Sequence, residues 1–209
     1  PIPHPSYGTQ LNSMSNIGIL PEGDIYITYS DQEYTFPDGE KYNLQTPYYS
    51  FANLNYGSLS DVLTSPRVGQ HMIGLGLLET ILAQDILENE DIDDANNDGI
   101  SGKANYVHDV SKNTMEIGRF GWKAGQPNLK QQSADAFVGD IGITSTLFPN
   151  QNCTSPQNDC LNAANGGEPE LTDKSLNNIE IYVSNLAVPA RRNIESSAVK
   201  NGKNLFNNA

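Results

Sequence analysis

The stretch Asp91–Ala124 constrains this chain more than any other, and its first part has the pattern of a cation loop. Asp94, Asn96 and Asp98 alternate along the chain and Gly99 follows. Side-chain oxygens therefore fall at loop positions 1, 3 and 5. A glycine at 6 permits the sharp turn, and the backbone carbonyl of Ile100 at 7 adds another oxygen. No candidate donor is a thiolate or an imidazole, which selects a hard ion such as Ca²⁺. The match to an EF-hand is incomplete: position 12 is Asn105 instead of a bidentate glutamate, and Asp91 and Asp93 make up the missing charge. Asn/Asp/Gly loops also turn for local hydrogen-bonding reasons alone. Four aspartates within eight residues nevertheless repel one another without a counter-ion. The expectation is a structural calcium loop over residues 91–105.

The rest of the chain reads as loop-rich. The apolar fraction is 37%, with 18 glycines, 12 prolines and 10 tyrosines among 209 residues. A net charge of −13 excludes a nucleic-acid or anionic-membrane partner, because both require a basic footprint. No apolar run is long enough for a membrane span. The first residue is not Met and no signal peptide is recognisable, so the chain reads as a processed or excised piece. Cys153 and Cys160 lie in the polar segment NCTSPQNDC. Their six-residue spacing is neither a zinc knuckle nor a redox CxxC. A disulfide is the plain reading, over two free buried thiols, and it points to an extracytoplasmic compartment.

Local patterns divide the chain further. Asp24–Tyr29, Glu33–Phe36 and Tyr42–Leu44 read as strands around the turn Pro37-Asp38-Gly39, giving a β-rich part over about residues 20–45. Tyr48–Asn55 is aromatic without periodicity and reads as ordered coil. Val68–Leu82 reads as a densely buried helix or helix pair broken near Gly74 or Gly76. Asn105–His108 and Met115–Gly118 flank the polar turn Ser111–Thr114 as a hairpin. Leu129–Val138 and two segments over 172–208 read as helices, one stopped by Pro189. No linker divides the chain, so a single domain is expected.

Several ordered stretches then carry a resemblance: Met72–Glu79, Asp94–Gly102, Gly118–Ala124 (GRFGWKA), Asp140–Ser145, Gly166–Glu170 (GGEPE) and Leu186–Arg191. Together, and from Pro3-His4-Pro5 and Tyr7-Gly8 onward, they resemble the bacterial di-haem oxidoreductases. That family is often labelled thiol oxidoreductases or peroxidases and is distantly similar to di-haem cytochrome c peroxidases. The resemblance implies a cytochrome c-like scaffold, mainly α and loop-rich with small antiparallel β-hairpins, α+β by content. It implies haem c as cofactor, and a redox partner or small-molecule oxidant. It also implies a periplasmic or secreted location. Family members attach two haems through CxxCH motifs, because paired thioethers and a proximal His hold the iron. This sequence contains no CxxCH. Residues 200–209 look like the helix that precedes the attachment cysteines, so the chain reads as the segment between two haem motifs, unable to attach haem covalently and inactive alone. The alternative is a secreted, non-catalytic calcium-binding module that has lost its haems.

By this resemblance Trp122, the only tryptophan, is the inter-haem electron relay; by composition alone it would be a core aromatic. Met72 is a possible axial haem ligand, or core filler among Leu and Ile. His4 is a distal ligand or acid/base, or an exposed terminal histidine. Glu79, in an apolar run, would have its pKa raised by burial and could handle peroxide protons, or it pairs at the surface. Arg119, Lys123 and Gln126 could complete a polar pocket around it.

Overall fold

The structure, a computed structural model, describes residues 2–208. The chain packs as two compact units, each discontinuous in sequence: unit 1 comprises residues 1–68 and 133–176, unit 2 residues 69–132 and 177–209.

Unit 1 carries a two-stranded antiparallel ribbon, β1 (Asp24–Thr35) and β2 (Lys41–Ala52), in register from Asp24 opposite Ala52 to Thr35 opposite Lys41. Gly39, at φ 92°, makes the expected turn, and Tyr42 packs against Tyr34 and Phe36 beside it. β2 runs through Tyr48–Ala52, a stretch whose sequence reads as coil. The reason is physical: nearly every ribbon residue is exposed, so no inside/outside alternation marks the strand. Elsewhere in unit 1, Tyr7, Ala134, Val138 and Leu176 are buried. The Tyr7 hydroxyl donates to Gly57 O (2.7 Å) and accepts Tyr56 N–H (3.1 Å). Cys153 and Cys160 form a disulfide. The loop it closes holds the buried Gln157, whose amide donates to Ser6 O (3.1 Å) and to Glu22 Oε1 (2.5 Å), so a short covalent loop fastens the N-terminal segment.

Unit 2 is built on α1 (Leu75–Glu79), α2 (Ala83–Leu87), the hairpin β3 (Tyr106–Asp109) and β4 (Thr114–Ile117), α5 (Asp173–Ser184, from Asn177 onward) and α6 (Ser197–Asn207). The division between units falls inside α3 (Leu129–Ile141); α4 (Asn158–Leu161) belongs to unit 1. Phe120, Leu129 and Val183 form the buried cluster of unit 2, with Leu75 and Ile179 packed against it. Gly76 lets α1 reach this core, because a β-carbon there would lie 2.0 Å from Ser184 O.

The structure corrects two further expectations. The fold is not mainly α: it is 24% helical and 19% strand, with short helices and two small antiparallel sheets. The apolar run ending at Leu82 is not a buried helix. Gly74, in the left-handed region at φ 77°, starts α1 late, and the five residues Leu75–Glu79 are all of the run that winds into helix; Met72, Ile73, Leu77, Leu78, Ile81 and Leu82 stay substantially exposed. Among the described residues no helix is long and apolar enough to cross a membrane.

Candidate functional site

The GRFGWKA sequence folds as a locked loop at the end of the β3–β4 hairpin. Arg119 N and Phe120 N donate to Gln126 O, and Gln126 N returns a bond to Phe120 O. The loop's two ends meet where Gly118 passes Ala124. A β-carbon on Gly118 would lie 1.8 Å from Ala124 O, so only glycine permits the closure. Gly121 (φ 79°) and Ala124 (φ 47°) make the left-handed bends. Asn105, at the end of the acidic loop, also secures this one. Its carbonyl accepts Gly118 N–H (2.7 Å), and its amide donates to Lys123 O (3.1 Å) and Ala124 O (3.0 Å). Trp122, at the loop's tip, is 53% exposed and so is not a core aromatic.

Arg119 ties the loop's first limb to the turn after α1. Its Nη1 donates to the carbonyls of Leu78 and Glu79 (3.3 Å each) and Ile81, satisfying oxygens that a helix end leaves without partners. Glu79 is half-buried, and its Oε1 accepts Leu129 N–H (2.9 Å) at the start of α3, where a carboxylate also suits the helix dipole. At the end of β3, Asp109 is fully buried. Burial opposes its ionisation, but the Ser111 hydroxyl, the Lys112 N–H and the Lys112 ammonium hold its carboxyl below the usual range. Its other oxygen accepts from Asn128 (3.0 Å), tying the hairpin turn to the start of α3. Glu79, Asp109, Lys112, Glu116, Arg119 and Asn128 border a cavity of about 400 Å³ within unit 2. Neither Lys123 nor Gln126 lines it.

Of the residues singled out by sequence, Glu79, Arg119, Trp122 and Met72 fall in unit 2 and His4 in unit 1. Met72 precedes α1 and is 45% exposed. His4 Nδ1 accepts Ser6 N–H (3.1 Å), and its ring lies 5.2 Å from that of Tyr7. In unit 1, the Glu170 carboxylate joins two of the family-like stretches: it accepts N–H bonds from Gly166 (2.9 Å) and Thr144 (3.0 Å), which hold it below the usual carboxylate range.

The acidic loop closes by a bridge between Asp91 and Gly102. Within it the side chains serve the backbone: Asp94 accepts from Asp98 N and Gly99 N, Asn96 from Asp98 N, Asp98 from Ile100 N and Asp91 from Ala95 N. Among the described residues, no three His, Cys, Asp or Glu side chains gather as a metal site.

The chain's own residues do not fit covalent haem attachment, since both cysteines are joined to each other and no CxxCH exists. No curated protein and no solved structure matches the chain. The sequence profile of one family, described as "Di-haem oxidoreductase, putative peroxidase", matches residues 1–209. With the whole length matched and the GRFGWKA loop in place, the chain belongs to the di-haem oxidoreductase family.

Proposed function

We propose that this chain is the inter-haem segment of a periplasmic or secreted di-haem c-type oxidoreductase with peroxidase-like electron transfer. In this reading Trp122 is the electron relay. The observation that carries it is the family match over residues 1–209, combined with a lone tryptophan held half-exposed at the tip of a locked loop. An indole there can be approached by a docked redox group. The disulfide supports an oxidising compartment. Haem, when bound elsewhere in the protein, would supply the redox chemistry; the part that falls to this chain is to present Trp122. Glu79, Met72 and His4 stand behind it as candidates for proton handling and axial ligation.

The test is intact mass and an absorption spectrum of the protein from its native source, followed by Trp122→Phe. A Soret band, two haem masses above the polypeptide and slowed electron transfer in Trp122→Phe support the reading. A colourless protein at the polypeptide mass overturns it in favour of the calcium-binding module without haems.

Calcium at the Asp91–Asn105 loop is a second part of the proposal, supported by an all-oxygen donor set. Asp91, Asp93, Asp94, Asn96, Asp98, the Ile100 carbonyl and the Asn105 side-chain oxygen would hold the ion, since it is the Asn105 amide nitrogen that donates to Lys123 O and Ala124 O. Calcium should raise the melting temperature, chelator should reverse the rise, and Asp98→Asn should abolish it. A melting temperature indifferent to calcium removes this part.

A further inference from the structure

We infer that Asn105 and Arg119 are positioning residues for Trp122, a proposal that rests on the relay reading of Trp122 and extends it to the groups that set its geometry. The loop 118–126 is fastened at its base and by two side chains pulling on different limbs. Asn105 holds the returning limb, forking one amide onto the carbonyls of Lys123 (3.1 Å) and Ala124 (3.0 Å), the two residues that follow Trp122. Arg119 holds the outgoing limb three residues before Trp122, through one guanidinium nitrogen shared among three carbonyls of the α1–α2 turn.

The backbone shows why such anchors are needed. Ala124 lies at φ 47°, a left-handed conformation that a residue with a β-carbon keeps only when its surroundings impose it. Its carbonyl lies where a β-carbon on Gly118 would stand, so the limbs are already as close as the backbone allows. Releasing the Asn105 fork leaves Ala124 free to relax toward ordinary φ, and Trp122, two residues away, turns with it. Electron transfer depends steeply on distance and orientation, so a relay needs this degree of definition.

Trp122 is the only tryptophan, so its fluorescence reports this loop alone. Acrylamide quenching and anisotropy would be measured on the full chain, with chelator present, for wild type, Asn105→Asp, Asn105→Gln and Arg119→Lys. Asn105→Asp keeps the shape but turns an oxygen toward both carbonyls, and loss of two hydrogen bonds should raise the open-loop population on the order of 30-fold. Quenching then rises by up to about twofold, the ceiling left by an indole already 53% exposed, and anisotropy falls. Asn105→Gln retains the amide and should move both readings back toward wild type. Arg119→Lys should shift them in the same direction as Asn105→Asp.

Wild-type quenching and anisotropy in a folded Asn105→Asp variant would overturn the proposal. Should that variant fail to fold, the same result in Arg119→Lys would do so. Electron transfer undiminished by Trp122→Phe would instead remove the relay while leaving the two anchors standing.

Discussion

Gly76→Ala and Gly202→Ala are the same substitution on two helices, and the structure gives them opposite signs. Alanine is the better helix former by about 1 kcal/mol, so propensity alone predicts that both stabilise. At Gly202, on α6, no atom lies within 4 Å of the added carbon, and propensity should act alone. At Gly76, on α1, the carbon would sit 2.0 Å from Ser184 O and under 3.0 Å from Ser184 C and Cα. Carbon and oxygen tolerate about 3.3 Å, so α1 must retreat by more than an ångström. That retreat stretches the 2.7 Å bond from Gly74 N to Leu186 O, about 1 kcal/mol. It also draws Leu75 from the Phe120–Leu129–Val183 cluster, an overpacking cost of about 1–3 kcal/mol. After the propensity gain, Gly76→Ala should destabilise by about 2 kcal/mol while Gly202→Ala stabilises by up to about 1 kcal/mol. Guanidinium unfolding followed by far-UV circular dichroism would give both midpoints. A Gly76→Ala midpoint at or above wild type would refute the close approach of α1 to Ser184.

Replacing both Cys153 and Cys160 with serine should cost roughly 2 kcal/mol, the loop-closure value for a short bridge. Because Gln157 lies inside the bridged loop and holds Ser6 and Glu22, amide exchange near Tyr7 should also quicken; slow exchange in the variant would separate the bridge from that anchorage. Asp109 and Glu170 both have folded-state pKa values below the ordinary range, so each contributes stability that is present above the ordinary carboxylate pKa and lost as pH falls through the depressed one. Melting temperature should therefore fall on acidification below about pH 4. Asp109→Asn should flatten that acid limb and, by setting an amide against Asn128, lower the plateau by about 1–3 kcal/mol; an acid limb as steep as in wild type would assign it elsewhere.

What the sequence reveals follows what each residue touches. The β3–β4 hairpin is readable because its strands pair within a dozen residues and its turn chemistry is local. α5 and α6 are readable as the two C-terminal helical segments, the first stopped by Pro189. The exposed ribbon is only half readable, since a strand with solvent on both faces has no pattern to read. Val68–Leu82 misleads for the converse reason: apolar side chains at helical spacing report an affinity for burial, while Gly74 and Gly76 decide where the backbone can wind. The site divides in the same way. The lone Trp122 and its glycine-flanked loop are legible as a unit. The role of Asn105 is not, because an amide that satisfies carbonyls 18 and 19 residues downstream looks in sequence like one more oxygen donor at the end of an acidic loop. Nor is the contact of Glu79, whose carboxylate accepts an N–H 50 residues away. Composition shows which groups can donate or accept, but the partner is chosen by where the chain next passes. In this chain the glycines at 76 and 118 allow those passages, so the clearest sequence signal for the anchors lies in the glycines that let other segments come within their reach.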